Sequence, residues 1–70
     1  MINQMVVSTE IEWVGYEHSR QVLQVQFLAG GVYQYDGVPE YVYEAFLEAD
    51  SHGLFFAENV KGRYPFRRIS

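Results

Sequence analysis

The chain has no cysteine and only two prolines in its 70 residues. Without cysteine there is no disulfide and no thiolate metal site. A small secreted domain usually leans on disulfides, so a cytoplasmic setting is expected. No run approaches the ~20 apolar residues that a membrane span needs, which excludes a membrane partner of that kind. The opening segment, Met1 to Val7, has neither the basic region nor the long apolar core of a signal peptide. Basic residues are scarce too: five Lys and Arg stand against nine Asp and Glu, for a net charge of −4.

The charges are unevenly spread. Residues 1–60 carry all nine acids and only Arg20 as a base, a net of −8. The last ten residues carry Lys61, Arg63, Arg67 and Arg68 and no acid, a net of +4. Such a split marks either a partner-binding tail or a tail that folds back on an acidic body.

Aromatic residues are abundant, with six Tyr, five Phe and one Trp. Each can bury roughly 150–250 Å². A chain of this length buries only about 60% of its unfolded surface, so it needs that density. One domain over residues 1–70 is expected, with a basic extended tail over 63–70.

Residues 6–16 read as a first strand, with Ile11 and Trp13 alternating against Glu10 and Glu12, and with Gly15 marking either a bulge or a close backbone approach. The segment 17–20 reads as a turn. Val22 to Leu28 is the clearest strand: Leu23, Val25 and Phe27 share one wholly apolar face, opposite Gln24 and Gln26. Val32 to Tyr35 makes a third strand, ended by Asp36-Gly37. Short connections predict an antiparallel meander. The turn between the last two strands decides where Tyr33 and Tyr35 point. A three-residue loop, Ala29-Gly30-Gly31, sets Tyr33 against Phe27 and Tyr35 against Val25, on the core side. A two-residue loop slips the register by one and swings both rings to the glutamine side. The three-residue loop is the favoured reading.

Val38-Pro39 opens a helix, since proline suits a first helical turn. Val42, Ala45, Phe46 and Ala49 form its apolar stripe, widened by Tyr43 and Leu47. Glu40, Glu44 and Glu48 stack on another face. Ser51 is the predicted N-cap of a second short helix over Leu54 to Val60, with a tight turn at Gly53. Pro65 biases Tyr64 away from helix, so the tail is extended. The fold class is α+β: a three-stranded antiparallel meander followed by two short helices packed on one face of the sheet.

Several spaced features resemble one family. They are Gly15-Tyr16, Leu23-x-Val25-x-Phe27, Tyr33-Gln34-Tyr35 and Val38-Pro39, then Ala49-Asp50-Ser51-His52-Gly53, Phe55-Phe56, Asn59-Val60 and Tyr64. In this order they look like the KTSC domain, named from a domain at the C-terminus of some lysyl-tRNA synthetases and also found as short bacterial and phage proteins. The match covers roughly residues 8–69. The resemblance implies no established activity; its synthetase association implies RNA or tRNA as a partner.

Three groups are candidate sites. Tyr33 and Tyr35, alternating on a strand, either stack nucleobases or pack in the core. Lys61, Arg63, Arg67 and Arg68, interleaved with Tyr64 and Phe66, have the composition of a phosphate-contacting patch, or of a tail salt-linked to Glu40, Glu44 and Glu48. That acidic stripe is itself a candidate surface for a basic protein partner, as in a small accessory protein or phage-encoded inhibitor. His18 and His52 have neither zinc spacing nor a nucleophile triad around them. No enzyme activity, metal or cofactor is expected.

Overall fold

A computed structural model of the chain describes residues 2–6 and 8–70. Met1 and Val7 belong to the expected domain, and Val7 to the expected first strand; both lie outside the described residues. The elements are β1 (Ile2–Met5), β2 (Ile11–Glu17), β3 (Val22–Phe27), β4 (Val32–Asp36), α1 (Glu40–Glu48), α2 (His52–Asn59) and β5 (Phe66–Arg68). The strands form one five-stranded sheet in the order β1-β2-β3-β4-β5, with every neighbouring pair antiparallel.

The α+β class and the meander with its two helices are as the sequence predicts. The count of three strands is corrected to five, and the helices lie between β4 and β5 rather than at the end. Both added strands are edges. β1 pairs along β2 from Ile2↔Tyr16 to Met5↔Trp13. β5 follows Pro65, whose carbonyl accepts the Asp36 N–H at 2.9 Å and so starts the pairing with β4.

In β2 the register shifts between Ile11 and Trp13, and Glu12 is the extra residue of a bulge. The bulge reverses the alternation. Ile11, Val14 and Tyr16 therefore all reach the helix-covered face and are buried. Trp13 turns to the opposite, open face. The bulge expected at Gly15 is absent, because Gly15 pairs regularly with Gln24 and with Asn3.

The core forms where that sheet face meets the helices. Leu23, Val25 and Tyr35 of the sheet cluster with Val38, Tyr43 and Phe46 and, from α2 and its end, Phe56 and Val60. Val42 and Leu47 pack at its margin, whereas Ala45, expected in the stripe, is exposed. The Tyr16 ring stacks on Tyr43 at 4.8 Å, and its hydroxyl donates to the Val38 carbonyl. This bond ties β2 to the entry of α1.

The Asp50-Ser51-His52-Gly53 segment is a helix corner. Ser51 Oγ accepts the Leu54 N–H at 3.2 Å, as an N-cap does. His52 Nδ1–H donates to the Phe46 carbonyl at 2.9 Å, in the last turn of α1, beside the C-cap bond from the Ala49 N–H to the same oxygen at 3.2 Å. Gly53, expected as a tight turn, lies within the first turn of α2. A Cβ there would lie 3.0 Å from Oε2 of the exposed Glu10 side chain. Among the described residues no helix is long and apolar enough to cross a membrane.

Candidate functional site

The β3–β4 hairpin turns on Leu28-Ala29-Gly30, one residue earlier than predicted. Gly30 N–H donates to the Phe27 carbonyl at 3.0 Å, and Phe27 N–H donates to the Gly31 carbonyl at 3.1 Å. Gly30 and Gly31 both have positive φ, at 112° and 96°. Tyr33 thus pairs with Val25, and Tyr35 with Leu23. Moving the loop by one residue moves the register by two, so the face is unchanged. Both rings point to the helix side, as the three-residue loop predicts, each opposite a residue two positions earlier on β3.

The two tyrosines differ in burial. Tyr35 is 5% exposed and Tyr33 is half-buried. Burial and the neighbouring Tyr33 push the Tyr35 phenol above its ordinary value. Neither hydroxyl has a hydrogen-bond partner among the described residues, and no side-chain oxygen among them is both sealed and unpaired. The Tyr35 hydroxyl therefore reaches solvent despite the burial of its ring.

Tyr35 also lines a cleft of about 570 Å³ between α2 and the β4–β5 edge of the sheet. Phe27, Tyr33, Tyr35 and Phe66 line the sheet side, and Phe56 and Lys61 the helix side. Thr9, Glu10, Ala29 and Gly30 close the hairpin end. Phe66 is 60% exposed and lies 5.8 Å from the Tyr33 ring and 5.6 Å from the Tyr35 ring. The Arg68 guanidinium sits over Tyr33, 5.8 Å from the ring centre.

The basic residues do not form one patch. Strand alternation sends Phe66 and Arg68 to the cleft side and Arg67 to the open face. There Arg67 pairs with Asp36 at 2.7 Å and donates to Gln34 Oε1 at 2.9 Å, while Gln34 donates to Gln24 at 2.8 Å. Arg63 Nε–H donates to the Glu58 carbonyl at 2.8 Å, at the end of α2. Tyr64 packs at the margin of the core. Lys61 is exposed and makes no ion pair among the described residues. The tail is salt-linked through Asp36, not through the Glu40, Glu44 and Glu48 stripe, because α1 lies on the other side of the sheet from Arg67.

Those three glutamates are exposed. Glu40 pairs with His18 Nδ1 at 3.0 Å, and Tyr41 beside it is 71% exposed. Among the described residues no three His, Asp or Glu side chains converge as a metal group would need.

The sequence alone does not single out Phe27, Phe56, Phe66 or Glu10 as cleft residues. Phe66 had a signal, its i, i+2 spacing to Arg68. Phe56 and Glu10 meet the cleft only through tertiary packing.

A one-sided antiparallel meander, with two helices inserted before its last strand and an aromatic cleft left beside that strand, defines a small α+β domain. The chain belongs to the KTSC domain family, whose model matches residues 7–64. It is similar to the crystal structure of a KTSC domain protein from Yersinia pestis. That likeness has a TM-score of 0.96 and 39% identity, over 99% of this chain and 97% of the other. It is 40% identical over 63 residues to a protein of Stutzerimonas stutzeri, covering 89% of each. It is also 37% identical over 60 residues to a lysine–tRNA ligase of Nostoc punctiforme, covering 86% of this chain but 11% of the ligase.

Proposed function

We propose that this chain is a small binding module without catalysis of its own, and that its ligand is single-stranded RNA. The cleft carries the reading: Phe66 and the half-buried Tyr33 offer ring surface, with Lys61 on the helix side and Arg68 over the Tyr33 ring as cations that can meet phosphates. Aromatic rings that stack bases contribute about 1–3 kcal/mol each, and need no particular sequence. Support comes also from the lysine–tRNA ligases among its relatives, in which a similar segment accompanies a tRNA-dependent enzyme. A cytoplasmic setting and a tRNA partner fit the same reading.

The test is a titration with single-stranded RNA and with tRNA by fluorescence anisotropy at several salt concentrations. Two phosphate contacts predict a slope of log K against log salt of about −1.4 for a single strand. The Lys61→Ala/Arg68→Ala double variant should flatten it. No binding at low salt up to high micromolar RNA defeats the reading.

A second reading uses the other side of α1. Tyr41 stands exposed beside Glu44 and Glu48, which make no ion pair among the described residues. This surface suits a basic protein partner. A Glu40→Gln/Glu44→Gln/Glu48→Gln variant should lose such a partner in affinity capture. An unchanged partner set would reject α1 as the interface.

A further inference from the structure

The strand β5 ends the sheet, and Phe66, Arg67 and Arg68 are all exposed. Its inner edge bonds to β4 through alternate residues. The Pro65 carbonyl accepts the Asp36 N–H at 2.9 Å, and the Ile69 N–H donates to the Val32 carbonyl at 2.8 Å. Such pairs recur at every second residue of an antiparallel ladder, so Arg67 faces Gln34 in the same way. The backbone N–H and C=O groups of Phe66 and Arg68 therefore point outward, away from β4. An outward row of backbone donors and acceptors is a template for a further strand.

The side chains along this edge set what such a strand carries. Phe66 is 60% exposed on the cleft side. Arg68 shares that side; its Nε–H donates to the Ser70 carbonyl at 2.9 Å, and it makes no ion pair among the described residues. Arg67 is neutralised on the open face by Asp36, while Lys61 stands across the cleft. The helix side of the edge is thus aromatic and cationic. A second copy of β5 does not fit it, because arginines would then lie against arginines, and like charges facing each other destabilise a strand pair.

Going beyond the RNA reading of the cleft, we propose that the outer edge of β5 takes an extended acidic peptide segment as an added antiparallel strand. Main-chain bonds to Phe66 and Arg68 supply affinity, and the side chains opposite them supply selection. Opposite Arg68 the segment carries Asp or Glu, whose carboxylate accepts from the guanidinium. Opposite Phe66 it carries an aromatic residue, as favoured cross-strand pairs do. An antiparallel strand meets Arg68 first, so its core reads acidic-x-aromatic. Phe66 and Arg68 also border the cleft, so peptide and RNA exclude one another.

The experiment is an NMR titration of the full chain with a short peptide whose core is Glu-Thr-Phe, flanked by threonines. A Lys-Thr-Phe peptide, a Glu-Thr-Phe peptide N-methylated at its Phe, and single-stranded RNA are run alongside. The Glu-Thr-Phe peptide should saturate and slow amide exchange at Phe66 and Arg68, leaving Arg67, already paired with Gln34, unchanged. The lysine core should bind at least about tenfold more weakly, the loss that goes with a charged hydrogen bond. N-methylation removes the donor to the Phe66 carbonyl and should weaken binding as much. Arg68→Glu, at an exposed position, should reverse the preference between the two cores. No saturation at high micromolar peptide overturns the proposal, as does binding without slowed exchange at Phe66 and Arg68. Equal affinity for the two cores, or for the methylated peptide, overturns it too. If RNA shifts the Tyr33 and Phe66 rings while no peptide slows the two amides, this inference fails and the RNA reading stands. If the peptide slows both amides and no RNA binds, the RNA reading fails and this inference stands.

Discussion

The ring of Tyr35 meets the ring of Phe56 edge-on, with 5.3 Å between centroids and 80° between planes. This contact joins the sheet to α2, and it also forms the inner wall of the cleft. Tyr35 thus has two separable parts. Its ring packs in the core, and its hydroxyl makes no hydrogen bond among the described residues.

That division predicts unlike costs at neighbouring positions. Phe56→Ala should lose about 3–5 kcal/mol of stability, as removal of a buried aromatic does. Tyr35→Phe should change stability by less than about 0.5 kcal/mol, because no hydrogen bond among the described residues is lost. Tyr16→Phe should cost about 1–3 kcal/mol, because the Val38 carbonyl loses its buried donor. Urea denaturation of the three variants reads these differences directly.

The helix corner predicts a second set. Ser51→Ala should cost about 1 kcal/mol and speed amide exchange at Leu54, whose N–H loses its cap. His52→Ala should cost about 0.5–1.5 kcal/mol by removing the donor to the Phe46 carbonyl. The two residues are adjacent, so the double variant should depart from additivity. Hydrogen exchange and denaturation together check both.

Alkaline pH tests burial of the phenols. Tyr16, Tyr35 and Tyr43 all have their pKa raised, in each case mainly by burial. Glu40 adds to the effect at Tyr16 and Tyr33 at Tyr35. Their ionisation is harder in the folded state than in the unfolded state. The stability they contribute is complete below the ordinary tyrosine value of about 10, and it is lost as pH rises through the raised folded values. Denaturation midpoints should therefore fall above about pH 10, and part of the tyrosinate absorbance should appear together with unfolding.

Glycine substitutions separate backbone strain from displacement of the cleft. Gly31→Ala and Gly37→Ala each place a side chain at positive φ, at a cost of about 1–2 kcal/mol. Only at Gly31 does a Cβ meet the site, 3.0 Å from Tyr33 Cε1; at Gly37 it meets nothing within 4 Å. Both variants should melt earlier, but only Gly31→Ala should shift the Tyr33 ring signals.

The central strands were legible because β3 alternates cleanly, with Leu23 and Val25 buried against Gln24 and Gln26 half-exposed. The Ser51 cap was legible because hydroxyl capping is local chemistry. The hairpin was placed one residue late because two consecutive glycines allow either loop, and Leu28 looked like strand although it is 52% exposed in the turn. The side of the sheet survived that error because the register moved by an even number. β1 was missed because Ile2-Asn3-Gln4-Met5 has no strand alternation of its own and relies on the free edge of β2. Of the two readings at Gly15 the bulge falls instead at Glu12: glycine permits a bulge, but packing at Ile11 and Val14 decides where it lies. The cleft was partly legible, through Tyr33, Tyr35 and the basic tail. Its far walls, Phe56 and Glu10, come from elements distant in sequence, and no local pattern records their meeting.

The most direct test of the account is NMR mapping of single-stranded RNA on the two faces of the sheet. Binding in the cleft shifts Tyr33, Tyr35, Phe66, Lys61 and Arg68 and leaves Trp13, Gln24 and Gln34 on the open face unmoved. Shifts concentrated on Trp13 and the glutamines, or none at any of these residues at high micromolar RNA, would contradict it.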